Sequence, residues 1–429
     1  MSTNNVPEKV IAVGVVLADQ TRRVADEHLD ELEKLIESAG GAVAAKILAK
    51  RKAPDPASFI GSGKAEEIKR LAEKGSVSLI VFDDELSPAQ TRNLEKIIGT
   101  KVIDRSALIL DIFASRARSR EARTQVELAQ LEYMLPRLTR QWSHLERQAG
   151  GIGTRGVGET QLEIDRRIVR TRIGQLKGEL HKIEQTRHTQ RKSRVAAFTV
   201  ALVGYTNAGK STLFNRLTGG SAWAVDKLFA TLDAKSQRMS FPMPRTTVAI
   251  DTVGFVRKLP HHLVASFRST MEEAVNADLV LHVIDSSHEE QALVGEEVLR
   301  ELGIPEERVI DVFNKDDLSR GYEVSESRGS YTGTSRPRDR ATISALTGRG
   351  IDKLVETIRE RELAGGEVLH LEIPHEQSRM LAKLHDVAEV YEQRPADRVT
   401  RVTAWIPQNA VHEFVHFSLS HSRKFAKVG

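Results

Sequence analysis

The stretch Gly204-Tyr205-Thr206-Asn207-Ala208-Gly209-Lys210-Ser211 fits the phosphate-loop pattern G-x-x-x-x-G-K-[ST] without a mismatch. Such a loop works between a buried strand and the N-terminus of a helix. Both are expected here, because residues 198–203 form an apolar run and residues 211–217 have a helical pattern. The glycines let backbone amides face the phosphates, Lys210 reaches the β and γ oxygens, and the Ser211 hydroxyl is placed for Mg²⁺. The stretch therefore predicts a nucleoside-phosphate site.

A carboxylate motif follows at the end of a later predicted strand. Residues 248–250 are apolar and lead into Asp251-Thr252-Val253-Gly254. Because ligands bind at the carboxyl ends of such strands, Asp251 is expected in the Mg²⁺ shell and the Gly254 amide at the γ-phosphate. The next residue is Phe255, where Ras-like enzymes carry the Gln that orients the attacking water. A phenyl ring cannot orient water by hydrogen bonding, so we expect slow intrinsic hydrolysis that a partner accelerates.

Base recognition is predicted from two motifs further along the chain. Asn314-Lys315-Asp316-Asp317 follows the apolar residues 309–313, and Ser344-Ala345-Leu346-Thr347-Gly348 follows another short strand. The Asp317 carboxylate can accept hydrogen bonds from the ring N–H and the exocyclic amine of guanine. Adenine presents neither group in that arrangement, so it would leave polar groups of the site unpaired. We therefore expect GTP and GDP as ligands.

The chain before the phosphate loop begins with an α/β pattern over residues 8–115. Strands are expected at 10–17, 42–48, 79–82 and 101–103, with helices near 26–38, 64–74 and 88–98. Gly61-Ser62-Gly63-Lys64 looks like a second phosphate loop in this part. Ser58 stands where its first glycine belongs, however, and Ala65 replaces the magnesium-binding hydroxyl. A turn that enters a helix is the favoured interpretation, and an additional nucleotide site stays open as the weaker one.

Two amphipathic helices are predicted on either side of the glycine-rich stretch Gly150–Gly158. Their apolar stripes are Leu128, Leu131, Leu135, Leu138, Trp142 and Leu145 in the first helix and Val169, Ile173, Leu176, Leu180 and Ile183 in the second. Helices with one narrow stripe each and a short connection are expected to pack as an antiparallel hairpin. Thr160 with Glu163 can form a capping box, and Pro136 should kink or divide the first helix.

Positive charge is concentrated in this predicted hairpin. Residues 115–194 hold 18 Lys and Arg against 9 Asp and Glu, a local balance of +9 in a chain whose net charge is +4. Arg and Lys contacts to phosphates supply affinity without reading sequence, so the hairpin, with Arg155 at its tip, suits a groove of folded RNA. The alternative is a solvated charged surface with a merely flexible connection.

Length and composition limit the number of domains, the possible chemistry and the location of the protein. The 429-residue chain is long enough for several domains, and the absence of cysteine excludes disulfides, thiolate metal sites and cysteine nucleophiles. No signal pattern is present at the start, and no apolar run approaches the length of a membrane span. We expect a cytoplasmic monomer that binds no DNA. The histidines of the tail show no metal-ligand spacing.

These patterns predict a multidomain α/β fold in four parts. They are an N-terminal α/β domain (1–115), a basic helical hairpin with a glycine-rich tip (116–195), a P-loop GTPase domain whose mostly parallel sheet is covered by helices (196–365) and a small C-terminal α/β domain (366–429). Within the third part, residues 319–341 are rich in Ser, Gly and Arg and are expected to form a surface insertion.

The order of the motifs resembles the G-domain of translation-factor-related GTPases, and the resemblance narrows to the HflX family of ribosome-associated GTPases. It rests on residues 150–161 running into a basic helix, on Phe229-Ala230-Thr231-Leu232-Asp233, on Asp251–Phe255 and on residues 55–64. It implies that 229–233 is the first switch, with Thr231 as second ligand of Mg²⁺ and of the γ-phosphate. It further implies binding to the large ribosomal subunit, dissociation of stalled or stressed ribosomes, and a hairpin tip that approaches the peptidyl-transferase region.

The predicted site can be stated by role. Catalysis is assigned to Lys210, Thr231 and Gly254, and Mg²⁺ coordination to Ser211, Thr231 and Asp251. Nucleotide binding is assigned to Gly204, Tyr205, Thr206, Asn207, Ala208, Gly209, Lys210, Ser211, Thr212, Phe229, Ala230, Thr231, Leu232, Asp233, Asp251, Thr252, Val253, Gly254, Asn314, Lys315, Asp316, Asp317, Ser344, Ala345 and Leu346. Competing functions are a GTP-dependent RNA-binding switch in ribosome assembly and an ATP-driven RNA remodeller that uses the 61–64 loop.

Overall fold

The computed structural model describes residues 7–17, 21–138, 161–192, 197–220, 228–229, 234–243, 246–258, 271–287, 289–318 and 338–419. The chain forms two compact units. The first comprises residues 1–184, 226–233 and 257–268, and the second comprises residues 185–225, 234–256 and 269–429. Every helix in the described ranges is too short or too polar to cross a membrane.

A four-stranded parallel sheet forms the centre of the first unit. The strands β1 (Glu8–Val16), β2 (Gly41–Lys50), β3 (Leu79–Phe82) and β4 (Lys101–Asp104) lie in the order β2-β1-β3-β4. Four helices accompany them: α1 (Arg22–Ser38), α2 (Ser62–Gly75), α3 (Pro88–Ile98) and α4 (Arg105–Arg116). Strand β1 is buried over its last seven residues, as expected for a parallel strand covered on both faces.

The predicted strands and three of the predicted helices of this part are present within a few residues. Helix α4 was not predicted, because residues 107–110 are a continuous apolar run that shows no helical period. Seven of the twelve residues of α4 are buried, and they lie on almost all sides of the helix. Its N-cap is Asp104, whose carboxylate accepts a hydrogen bond from the Ala107 amide. Helix α2 starts at Ser62, so the Gly61–Lys64 stretch is a turn entering a helix.

Two further helices, α5 (Arg120–Met134) and α6 (Gln161–Lys192), carry the basic segment. Helix α5 ends where Pro136 predicts a break, in a short 3₁₀ turn over Leu135–Arg137. Ion pairs join the two helices: Arg120–Glu179 at 3.5 Å, Arg172–Glu127 at 2.7 Å and Lys177–Glu132 at 2.9 Å. The predicted glycine-rich tip with Arg155, the capping Thr160 and the stripe residues Trp142 and Leu145 lie outside the described residues.

The second unit contains a six-stranded sheet in the order β10-β9-β8-β5-β7-β6. Its strands are β5 (Phe198–Gly204), β6 (Lys235–Arg238), β7 (Thr247–Asp251), β8 (Leu279–Asp285), β9 (Val309–Asn314) and β10 (Asp339–Thr342). All neighbouring pairs are parallel except β6 with β7. The described helices beside it are α7 (Lys210–Thr218), α8 (Glu289–Glu301) and α9 (Ile351–Ala364). The predicted parallel-dominated sheet is confirmed, and most of the predicted 319–341 insertion lies outside the described residues.

The same unit ends in a three-stranded antiparallel sheet in the order β11-β13-β12. Its elements are β11 (Gly366–Pro374), α10 (Ser378–Val387), β12 (Glu389–Pro395), β13 (Val399–Pro407) and α11 (Gln408–Phe414). The sequence missed β12, whose exposed, charged residues show no apolar alternation. The sequence predicts a helix over about 376–390 and a final helix over 408–419. In the structure the first of these helices ends at Val387, before β12, and the second ends at Phe414.

Candidate nucleotide site

The phosphate loop connects β5 to α7 through residues that only glycine suits. Gly204 has φ +145° and Gly209 has φ +96°, both in the region that L side chains rarely adopt. A Cβ at Gly204 would collide with the carbonyl of Val283, and one at Gly209 with the side-chain amide of Asn314. The loop therefore packs closely against β8 and β9. Glycine is required at both positions of the pattern by this packing as well as by phosphate binding.

Lys210 lies at the start of α7 with its side chain inside the loop. Its ammonium donates to the carbonyls of Gly204 at 3.0 Å and Tyr205 at 2.6 Å. Burial lowers the pKa of Lys210 to about 8, while the carboxylate of Asp251 acts in the opposite direction. A buried cation that donates to carbonyls gains strongly from an anion, so the ammonium can exchange these partners for phosphate oxygens.

A hydroxyl and a carboxylate meet beside the phosphate loop. The Ser211 hydroxyl donates to Asp251 Oδ2 at 2.8 Å. Serine oxygen and carboxylate are hard ligands of the kind that Mg²⁺ takes together with phosphate oxygens and water. The Thr206 hydroxyl, in the loop itself, is buried and has no hydrogen-bond partner within the described part of the chain. These groups fit a magnesium–phosphate ligand, and Thr231, assigned to the same ion, lies outside the described residues.

The Asp251–Gly254 segment lies directly against the phosphate loop. Phe255 continues β7 as a strand-like extension: its amide donates to Gly204 O at 2.9 Å, and its carbonyl accepts from the Thr206 amide at 2.7 Å. A Cβ at Gly254 would lie 2.8 Å from the Lys210 ammonium nitrogen. Glycine therefore allows this backbone to approach the charge that holds the phosphates.

The side chains between Asp251 and Gly254 point into the protein. The Thr252 hydroxyl donates to Leu202 O at 2.7 Å, and Val253 is buried. The Phe255 ring is also buried, with 2% of its surface exposed, and belongs to the apolar core of this unit. Because the ring faces the core, this position has no side-chain group that could orient water.

Asn314 connects three loops at the carboxyl edge of the sheet. Its side-chain amide donates to Ala208 O at 2.8 Å, and its side-chain carbonyl accepts from the Ala345 amide at 2.9 Å. The next residue, Lys315, has φ +66° and forms an ion pair with Asp285 at 2.8 Å. The phosphate loop and the two predicted base-reading motifs are thus one structure, and not three independent loops.

The remaining base-reading residues surround an open edge. Asp316 pairs with Arg349 at 2.9 Å, whereas the Asp317 side chain is exposed. Ser344 is buried and its hydroxyl accepts from the Thr347 amide at 3.1 Å, while Leu346 is 72% exposed. The Asp317 carboxylate is thus open to solvent at the edge where the base is predicted to bind.

Two supporting residues were missed from the sequence. Arg216 of α7 donates to the carbonyls of Ala345 at 3.3 Å and Leu346 at 2.6 Å, and so supports the last base-reading loop. Nothing in the local sequence distinguishes this arginine from other helical arginines. Asp285, the partner of Lys315, did carry a signal, because it ends the buried strand β8 at the ligand-binding edge.

One part of the predicted first switch is described, and it belongs to the first unit. Phe229 is buried, has φ +56° and meets Phe113 of α4 edge to face at a ring distance of 4.7 Å. The other assigned residues of this segment, Ala230, Thr231, Leu232 and Asp233, lie outside the described residues. The nucleotide-binding role of all five remains a prediction.

A phosphate loop with a buried lysine, a D-x-x-G turn against it and an N-K-x-D motif on the adjacent strand define the class of P-loop GTPases. The comparisons with known proteins narrow the class. Residues 26–114 match the family described as "GTP-binding GTPase N-terminal", 116–194 match "GTP-binding GTPase Middle Region" and 199–315 match "50S ribosome-binding GTPase". The chain belongs to the HflX GTPase family, and it is therefore an enzyme that hydrolyses GTP.

Curated relatives support this membership over nearly the whole chain. It is 44% identical over 408 residues to "GTPase HflX" of Magnetococcus marinus, a match that covers 93% of each protein. It is 46% identical to "GTPase HflX" of Escherichia coli, covering 85% of this chain and 86% of that relative. Among solved structures, a GTP-binding protein from Sulfolobus solfataricus in complex with GDP is 26% identical with a TM-score of 0.43, over 82% of this chain and 98% of that one.

Proposed function

We propose that this GTPase binds the large ribosomal subunit through its basic hairpin and dissociates stalled or stressed ribosomes, with GTP hydrolysis stimulated by the ribosome. The single observation that carries the stimulated hydrolysis is the buried Phe255 ring. Since this position cannot orient the attacking water, efficient hydrolysis requires a group or an ordering contact from a partner. The protein is proposed to act in the cytoplasm as a monomer, with the four-part organisation predicted above.

Each residue of the nucleotide site is proposed to have a separate role in binding GTP and Mg²⁺. Lys210 binds the β- and γ-phosphate oxygens, the Gly254 amide donates to the γ-phosphate, and Asp317 binds guanine. Ser211, Asp251 and Thr231 would hold Mg²⁺, which neutralises phosphate charge when bound. The other assigned residues position the nucleotide through backbone amides of the loop. Catalysis then depends on positioning and electrostatics, the usual means of phosphoryl transfer.

The hairpin proposal rests on how its charges are arranged. Arg172 and Lys177 are engaged by acidic residues of α5 and hold the two helices together. Arg170 is exposed and has no acidic partner in the part of the chain that the structure describes, and Arg167 is exposed on the same helix. An exposed arginine such as Arg170, in a segment whose charge balance is +9, supports binding to a polyanion such as ribosomal RNA.

The proposed function is tested by titrating GTP hydrolysis against purified large subunits and intact ribosomes. The expected result is a stimulation of orders of magnitude, because an activator that completes the site lowers the barrier by several kcal/mol. An unchanged rate at saturating ribosomes would contradict the proposal. Sedimentation of ribosomes with the GTP-analogue form adds a second result: loss of intact ribosomes supports dissociation, whereas unchanged ribosomes favour the assembly switch.

The hairpin is tested with a double variant, Arg167→Ala with Arg170→Ala. It should weaken large-subunit binding and reduce the salt dependence by about one phosphate contact per arginine, with GTP affinity unchanged. A matched control is Arg70→Ala with Lys74→Ala, which removes two exposed charges from α2. If both double variants bind subunits equally well, the hairpin surface is only solvated.

A further inference from the structure

Within the first unit, a chain of ion pairs starts at Lys258, four residues beyond Gly254 in the sequence. The Lys258 ammonium contacts Asp83 at 2.6 Å and Asp84 at 2.5 Å. Lys258 has φ +51°, a conformation that costs a non-glycine residue free energy and persists only where its surroundings enforce it. The segment that follows the D-x-x-G motif is therefore held by the N-terminal part of the chain.

One of the two carboxylates that contact Lys258, that of Asp83, also belongs to a buried ion pair. Asp83 follows β3 and is 2% exposed, and its other oxygen accepts from Arg105 at 2.6 Å. Arg105 is the first residue of α4, is equally buried, and also pairs with Glu31 of α1. Because a buried charge that loses its partner is costly, a displacement of Asp83 cannot leave Arg105 unaffected.

The residue before Arg105 connects the same helix to the hairpin. The Asp104 carboxylate caps α4 and accepts from Tyr133 at 2.8 Å and from Arg137 at 3.0 Å. Tyr133 lies in the last turn of α5 and Arg137 in the 3₁₀ turn that follows, and the Arg137 guanidinium stacks on the Tyr133 ring at 3.5 Å. The Asp104 carboxylate is fully buried. The N-terminus of α4 is therefore hydrogen-bonded to the end of the first basic helix and to the turn that follows it.

Helix α4 also contacts Phe229, the first residue of the other predicted switch segment. Phe113, two turns after Arg105, receives the Phe229 ring, and Phe229 shares with Lys258 the strained left-handed backbone. In GTPases, two switch segments respond to the γ-phosphate. Here Phe229 of the first contacts α4 directly, and Lys258, which follows the second, contacts Asp83, the partner of Arg105 in α4. Helix α4 also packs on α5, so it contacts both Phe229 and the first basic helix.

We propose that α4, with the Lys258–Asp83–Arg105 pairs on one side and the Asp104–Tyr133–Arg137 joint on the other, couples the nucleotide state to the hairpin. In this proposal, nucleotide exchange changes the contacts that Phe229 and Lys258 make with α4 and Asp83. The resulting change in α4 alters the stability of the end of α5. By linkage, a ligand on the hairpin alters the preference for GTP over GDP by the same factor. The part concerning ribosome binding rests on the proposed function, whereas the coupling to α5 does not.

The experiment measures amide hydrogen exchange of residues 120–137 in the full-length protein, with GDP and with a non-hydrolysable GTP analogue. Wild type should show a severalfold difference in exchange rate between the two nucleotides. Lys258→Met should abolish that difference and Asp84→Asn should reduce it, whereas Lys258→Arg should retain it. The matched control is Lys46→Met, because Lys46 likewise bridges two carboxylates, Asp30 at 2.7 Å and Glu33 at 2.5 Å, in the same unit.

The outcomes separate this coupling from the proposed function. No nucleotide-dependent difference in wild type, or a difference that survives in Lys258→Met, overturns the coupling. Large-subunit affinity is then measured with each nucleotide, and the ratio of the two dissociation constants should fall at least fivefold towards unity in Lys258→Met. If wild type binds no subunits with either nucleotide, the proposed function fails, while the exchange result still decides the coupling to α5.

Discussion

Two stretches of this chain, Gly61–Lys64 and Gly204–Ser211, each have a Gly-Lys pair at the start of a helix, but their surroundings differ. In the first, the Lys64 ammonium is directed to the surface, where it pairs with Glu67 at 2.9 Å. In the second, Lys210 is buried inside its loop and bonded to carbonyls. The comparison teaches that a phosphate loop is defined by where the lysine points.

The space in front of the two helices differs as well. At Gly61 the guanidinium of Arg51 fills it and donates to Ile60 O at 2.9 Å. At Gly209 the neighbouring group is the side-chain amide of Asn314, which donates to Ala208 O at 2.8 Å. Because the Arg51 guanidinium occupies the space beside Gly61, the geometry gives no support to the second nucleotide site that the sequence left open.

The largest expected effect separates the two lysines directly. Lys210→Ala should weaken GTP binding roughly a thousandfold, because a phosphate-binding charge is removed from a buried position. Lys64→Ala should leave GTP affinity and any ATP turnover within twofold. Titration with fluorescent GTP and an ATP hydrolysis assay measure both. Loss of ATP turnover in Lys64→Ala alone would establish the first loop as a second nucleotide site.

The base-reading side of the second loop is tested by Asp317→Asn. Two hydrogen bonds to a carboxylate, each worth about 1.5 kcal/mol, correspond to a loss of about a hundredfold in GTP affinity. The variant should gain affinity for xanthosine nucleotides, whose base presents a carbonyl in place of the amine. Asp316→Asn is the matched control, since its carboxylate is paired with Arg349. Retention of GTP affinity in Asp317→Asn would show that the base is recognised elsewhere.

The buried lysine should also give GTP binding a characteristic pH dependence. Burial lowers the pKa of Lys210 to about 8, so in the free protein the ammonium loses its charge as the pH rises through 8. Only the charged form attracts phosphate, hence GTP affinity should fall above pH 8 by up to about tenfold per pH unit. Binding measured from pH 7 to 9.5 tests this, with Lys210→Arg as the control that should stay flat. A flat wild-type profile would mean that the ammonium stays charged in the loop.

The smallest effect on activity is expected for Phe255→Gln. The phenyl ring lies in the core, so its replacement should cost about 3 kcal/mol of stability without placing an amide at the nucleotide. We expect a lower melting temperature and an intrinsic hydrolysis rate within threefold of wild type. Phe255→Leu should keep most of the stability at the same rate. A hydrolysis rate that rises tenfold in the Gln variant would show that this side chain can reach the attacking water.

Much of the second unit could be predicted because its signals are local. Strands β5, β7 and β9 are apolar runs that end at the motif residues, and their bounds differ from the predicted ones by one or two residues. The conserved geometry of a parallel sheet then places these ends at one edge. Strands β6 and β12 were missed because exposed, polar strands at sheet edges are defined by their pairing and carry little local signal.

From the amino-acid sequence alone we could infer the nucleotide class and the concentration of charge in the hairpin segment, and predict a guanine-reading role for Asp317. These depend on residue types at fixed spacings. Only the tertiary structure decided that Lys210 and not Lys64 is buried, that the Phe255 ring faces the core, and that α4 connects Lys258 to α5. The physical reason is that burial, pKa and ion-pair partners depend on which distant residues surround a group, and no local pattern of side chains encodes them.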